Sequence, residues 1–134
     1  MPDSAYQAET RGVVVKVTPA FAPDQSDEAQ SRFVWSYTVE IENHGEAEVQ
    51  LISRHWIITD ARNRVEEVKG PGVIGEQPTL KPGEAFRYSS YCPLTTTSGT
   101  MRGSYRMVNA DGAGFDAVVP EFSLDLPGAN RRVN

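Results

Sequence analysis

Cysteine is almost absent from this 134-residue chain. Cys92 stands alone, so no intramolecular disulfide can form and nothing points to an oxidising compartment. Histidine is nearly as scarce, with only His44 and His55. No H-x-x-x-H pair or acidic loop accompanies them, which argues against a dedicated zinc or calcium site. No apolar run approaches the roughly 20 residues that span a bilayer. The opening Met1-Pro2-Asp3-Ser4-Ala5-Tyr6 has neither the basic nor the apolar region of a secretory signal. A cytoplasmic location with no membrane role is therefore expected. Cations are in deficit too: 13 Lys and Arg face 18 Asp and Glu, for a net charge of −5. General nucleic-acid binding, which needs Lys and Arg to displace counterions, is not expected. Helical periodicity is missing as well. The best helical candidate, Asp24 to Gln30, is short and polar and predicts one turn within a loop.

What is present is alternation. Phe33, Trp35, Tyr37, Val39 and Ile41 alternate with Val34, Ser36, Thr38 and Glu40, the pattern of a half-buried strand. Val13, Val15 and Val17 alternate with Val14, Lys16 and Thr18. Phe86, Tyr88, Ser90 and Cys92 alternate with Arg87, Ser89 and Tyr91. Met101, Gly103, Tyr105 and Met107 alternate with Arg102, Ser104 and Arg106. Phe115, Ala117 and Val119 predict a further short strand, and Phe122, Leu124 and Leu126 the last one. From Val49 to Thr59 the apolar phase switches between Leu51 and Trp56. A bulge near Ser53-Arg54-His55, or burial of both faces, accounts for that.

Asn43-His44-Gly45-Glu46, Asp60-Ala61-Arg62-Asn63 and Asn109-Ala110-Asp111-Gly112 read as hairpin connections. Seven or more short strands with close turn signals predict an all-β sandwich or barrel. With 39% hydrophobic residues the chain can build a core without staples. It reads as a single domain over 1–134, with flexible tails at 1–10 and 127–134.

Four candidate sites stand out. Gly70-Pro71-Gly72-Val73-Ile74-Gly75 fits the G-x-G-x-x-G spacing of dinucleotide sites, but Pro78 and Pro82 forbid the helix such sites open. A turn that uses glycine's positive φ is the better reading, with an anion nest of loop amides as the alternative. His55, in an apolar strand beside Trp56, reads as a packed histidine with one hydrogen-bond partner, and His44 as a solvated turn residue. Cys92 alternates with the inward set and reads as a buried thiol. Arg87, Arg102 and Arg106 all fall on wet strand faces. If their strands are neighbours they form an anion patch; otherwise they solvate a sheet face. No G-x-S-x-G elbow or paired-carboxylate signature appears. No catalytic residue, metal ligand or cofactor is expected, and the chain reads as a non-enzyme.

Several segments together are specific. They are Val17-Thr18-Pro19-Ala20-Phe21, the strand Phe33 to Asn43, Leu51 to Asp60, Gly70 to Pro78, Leu80-Lys81-Pro82-Gly83-Glu84 and Gly99 to Tyr105. In order and spacing they resemble the bacterial ApaG family over roughly residues 6–127. That resemblance implies an immunoglobulin- or fibronectin type III-like antiparallel β-sandwich and a partner-recruiting module. It also implies an indirect link to cobalt resistance and magnesium efflux. The expected function is binding of an unidentified protein partner. The long loop from Gly70 to Gly83 is where that binding is expected, at Gly70, Gly72, Val73, Ile74, Gly75, Glu76 and Gln77. The alternative is nucleotide or polyphosphate binding through the Gly70–Gly75 amides. A monomer or a weak homodimer formed by sheet extension is expected.

Overall fold

The computed structural model describes residues 6–127. Nine strands are found there: β1 Tyr6–Thr10, β2 Val13–Phe21, β3 Phe33–Asn43, β4 Val49–Asp60, β5 Val65–Pro71, β6 Thr79–Leu80, β7 Ala85–Leu94, β8 Ser98–Asn109 and β9 Gly114–Asp125. They form two antiparallel sheets, one in the order β1-β2-β3-β7 and one in the order β5-β4-β8-β9, with β6 pairing β4. The expected all-β sandwich is what the chain builds.

Alternation explains the packing. Odd residues of β3 from Phe33 to Ile41, and Val13, Val15 and Val17 of β2, point inward and are buried. They meet Trp56, Met101, Tyr105, Met107, Ala117 and Phe122 from the facing sheet. Each fully buried large side chain contributes roughly 1.5–3 kcal/mol of transfer free energy. Trp56 is the hub of the aromatic packing, with edge contacts to Tyr37, Tyr105 and Phe122 at centroid distances of 5.3, 6.1 and 6.0 Å. Trp35 is anchored at the end of the sandwich by donating its indole N–H to the Asp125 carbonyl at 2.9 Å.

The structure revises several local expectations. Residues 6–10, expected as part of a flexible tail, form β1, because Tyr6 through Thr10 pair in register with Val17 through Val13. Tyr6 also packs its ring 5.9 Å from Phe122. Pro127, the first residue of the other expected tail, lies in an exposed turn. The remaining tail residues, 1–5 and 128–134, lie outside the described residues. Asn43 to Glu46 does not close a hairpin: β3 and β4 belong to different sheets, so this turn crosses the sandwich. Asn43 fixes the crossing, since its buried side-chain amide donates to Ala47 and Leu80 carbonyls at 2.8 and 3.0 Å. The two strands expected after Gly114 are one, β9, whose register slips at Pro120 and Glu121. Pro120 has no amide for a ladder, so the bulge sits on this edge strand. The β4 bulge falls at Ile52, between Leu51 and Ser53. The polar stretch 24–30 holds two short 3₁₀ turns, Pro23–Gln25 and Glu28–Gln30.

Candidate functional site

The glycine segment divides into three parts. Gly70 and Pro71 end β5, Thr79 and Leu80 form β6, and a short loop lies between. Within it, Val73 to Glu76 make a tight turn. The Val73 N–H donates to the Glu76 carbonyl, and the Glu76 N–H donates back to Val73, both at 2.8 Å. The two central residues have positive φ, +42° at Ile74 and +81° at Gly75. Positive φ at both centres is the mark of a type I′ turn.

The turn is held down from three sides. Val73 is fully buried and belongs to the core cluster. Gly72, at φ +59°, lies so close to the Glu76 carbonyl that an added Cβ would stand 2.2 Å from its oxygen. Only glycine fits there. Arg54, on β4, directs one guanidinium nitrogen to the carbonyls of Pro71 and Gly72, both at 3.0 Å. Gln77 donates its side-chain amide to Ile52 at 2.8 Å, and Gln50 donates to the Gln77 carbonyl at 3.1 Å.

Out of this clamp rises one apolar side chain. Ile74 is 57% exposed. It is β-branched and left-handed at once, a combination that costs roughly 1–2 kcal/mol in backbone strain. Of the expected site residues, Ile74, Gly75, Glu76 and Gln77 are exposed. Val73 and Gly72 are not at an exposed tip: both are buried, because Val73 plugs the core beneath the turn. The amides of Gly72, Val73 and Glu76 are all engaged, with Ile52, Glu76 and Val73 as acceptors. An anion nest across Gly70–Gly75 would need the Gly72 and Val73 donors free.

The three arginines do not come together. Arg87 lies on β7 in the four-stranded sheet, whereas Arg102 and Arg106 lie on β8 in the other. Their exposed faces point to opposite sides of the sandwich. Arg106 pairs with Asp116 across the β8–β9 ladder at 3.3 Å. Arg102 lies at the β8–β9 register shift. It borders a shallow groove of about 350 Å³ with His55, Ile57 and Val118.

The histidines and the cysteine complete the inventory. His44 is exposed, and its Nε2 lies 2.7 Å from a Glu42 oxygen. Hydrogen bonding to His44, with a smaller contribution from Lys16, holds the Glu42 carboxyl below its usual range. His55 is half-buried. Its Nε2 is shielded from solvent and makes no hydrogen bond, although a Glu67 oxygen lies 3.4 Å away. Cys92 is buried as expected, and burial pushes its thiol up to about 12. Among the described residues no three His, Cys, Asp or Glu side chains converge as a metal-binding group would, and no helix is long and apolar enough to cross a membrane.

Arg54 is the site residue that the sequence pattern hides. Its phase relative to Trp56 is inward, the wrong face for a solvated cation. The Ile74-Gly75 pair between extended segments is the signal that points to the turn itself.

Comparison with known proteins bears on the whole chain. Residues 23–109 match the ApaG domain. The chain is similar to Protein ApaG of Caulobacter vibrioides, with 60% identity over 131 residues that cover 98% of this chain and 94% of that one. It is similar to Protein ApaG of Beijerinckia indica, with 54% identity over 96% of this chain and 99% of the relative. Among solved structures it resembles the crystal structure described as the ApaA protein from Bordetella pertussis. The TM-score is 0.85 at 51% identity, covering 87% of this chain and 95% of that one.

Proposed function

This chain belongs to the ApaG family, and from that premise we propose that it is a non-catalytic module that binds a protein partner through the Ile74 turn. The observation that carries this reading is Ile74 itself: strained at φ +42°, 57% exposed, and mounted on a turn whose neighbours are all fixed. A loop that served only to connect β5 to β6 would be cheaper with Asn at this position, which tolerates positive φ and solvates well. A rigid apolar knob suits docking into an apolar pocket, since little ordering entropy remains to be lost on binding. Glu76 and Gln77 beside it supply a polar rim. The cobalt and magnesium link implied by the family is indirect on this reading and runs through the partner, in the cytoplasm. Phosphate binding through Gly70–Gly75 draws less support, because the Gly72 and Val73 amides already have acceptors.

A photo-crosslinking residue at Glu76 tests the reading in cells. It leaves Ile74 in place and lies next to it. A discrete protein adduct is expected from the chain with Ile74 and its loss from the folded Ile74→Asp variant, with Ile74→Leu retaining it. Identical adduct patterns from all three chains would overturn the proposal.

A further inference from the structure

Among the described residues the sandwich has four edge strands besides the two-residue β6, and three of the four are protected. β1 and β9 lean on one another: the Thr10 hydroxyl accepts the Val118 N–H of β9 at 3.1 Å. β5 carries Glu66, Glu67 and Lys69 and ends on Pro71, the usual guards against pairing. β7 is different. It pairs with β3 on one side and with no strand on the other among the described residues. Between Ala85 and Leu94 its single charge is Arg87.

The direction of its backbone groups follows from the ladder. The Asn43 N–H donates to Glu84, so Asn43 is a residue of β3 whose groups face β7. On the opposite side, Ala22 N–H donates to Val34 and His44 N–H to Gly12, so even-numbered β3 residues face β2. In an antiparallel ladder this alternation continues along the strand. Odd β3 residues therefore bond to Phe86, Tyr88, Ser90, Cys92 and Leu94, their partners in register. Arg87, Ser89, Tyr91 and Pro93 turn their backbones to the free edge. Pro93 fits this phase, because the amide it lacks would face outward.

We propose that β7 is a self-association edge, and that a second copy of this chain pairs with it antiparallel about a twofold axis at Ser89. This register sets Arg87 of each copy opposite Tyr91 of the other. Both side chains lie on the same outer face, and Tyr91 is 58% exposed. Among the described residues Arg87 makes no ion pair within the chain. The twofold thus forms two identical guanidinium–phenol contacts while it satisfies the outward backbone groups between them. The short central residues Ser89 of the two copies let the strands approach. The interface is independent of the Ile74 turn, so failure of one reading leaves the other standing.

Sedimentation equilibrium on the full chain, from about 10 μM to about 1 mM, reads the association, which lies at the weak end for so small an interface. A reversible dimer is expected for the wild type and for Ile74→Asp. Ser89→Pro is expected to be monomeric, since proline there removes only an outward amide, and Ser89→Ala controls for the lost hydroxyl. At position 91 the sign of the charge decides. Tyr91→Glu sets a carboxylate against Arg87 of the other copy and keeps or tightens the dimer. Tyr91→Arg sets like charges together and weakens it by about tenfold or more. Circular dichroism checks each fold, and if Ser89→Pro unfolds, the two Tyr91 variants carry the test. A wild type that stays monomeric throughout would overturn the proposal. So would Tyr91→Glu and Tyr91→Arg weakening the dimer alike, the outcome expected of another register.

Discussion

The hydroxyls of Tyr88 and Tyr105 meet 2.6 Å apart in the middle of the core, joining β7 of one sheet to β8 of the other. Both side chains are buried, Tyr105 completely. One hydroxyl donates and the other accepts, so each oxygen has a partner where water does not reach. Removing one leaves the other without a partner. Tyr105→Phe is expected to cost about 1–3 kcal/mol. The double variant Tyr88→Phe, Tyr105→Phe should cost clearly less than the sum of the two single changes, because it leaves no orphan. Urea unfolding of the four chains, read as a double-mutant cycle, measures the coupling. Additive losses would show that the two hydroxyls do not act as a pair.

The same burial makes stability fall in alkali. Burial holds the Cys92 thiol at about 12 against an ordinary value of 9.0 and raises the phenols of Tyr88 and Tyr105 as well. Below pH 9 the groups are protonated in both states and their full contribution is present. Above it the unfolded chain loses protons that the folded chain keeps, so the unfolded state binds fewer. Stability then declines as pH rises towards the folded values, by at most about 1.4 kcal/mol per pH unit for each such group. Urea midpoints at pH 8 and pH 10 should differ in that direction, and Cys92→Ala should flatten the slope between them. Iodoacetamide at pH 8 should leave the native thiol unmodified.

Ile74 sets stability against binding. Replacing it with Asn converts the turn to Asn-Gly, the pair that left-handed φ at both centres favours. Folding stability should rise by about 0.5–1 kcal/mol as the β-branched strain is relieved. The partner adduct described above should be lost. A variant that is more stable and still captures the partner would show that the apolar knob plays no part in recognition.

How far the sequence foretells this depends on where the physical cause lies. β3 and β8 are legible because half of each strand faces a core that has only one place to be. β1 and β5 are not: Tyr6–Thr10 and Val65–Pro71 have little apolar alternation, and pairing with β2 and β4 creates them. Pro120 hides the continuity of β9, since a bulge on an edge looks locally like a break. Asn43 to Glu46 has turn chemistry that suits a hairpin or a crossing equally well, and only the sheet order decides. The glycine spacing locates the loop, but the burial of Val73 follows from the gap between the sheets beneath it. Arg87, Arg102 and Arg106 share a phase, yet phase along a strand says nothing about which sheet the strand joins.

Arg54 offers the last test, because it holds the site without reaching its tip. Its guanidinium bridges the carbonyls of Pro71 and Gly72, and Gly70 lets it lie flat: a Cβ there would stand 2.9 Å from a guanidinium nitrogen. Its charge also favours ionisation of Tyr37, Tyr88 and Tyr105, against the larger effect of burial. Arg54→Met keeps most of the apolar stem of the side chain and removes the guanidinium with both hydrogen bonds. A stability loss of about 1–2 kcal/mol is expected. Amide exchange at Val73 and Glu76 should quicken by more than global destabilisation accounts for, while protection at Val39 falls only with overall stability. Partner capture should weaken although Ile74 is untouched, since a loosened turn must be ordered again on binding. If Val73 and Glu76 lose no more protection than Val39, the turn is held by its own two hydrogen bonds and by Val73, and Arg54 is not its clamp.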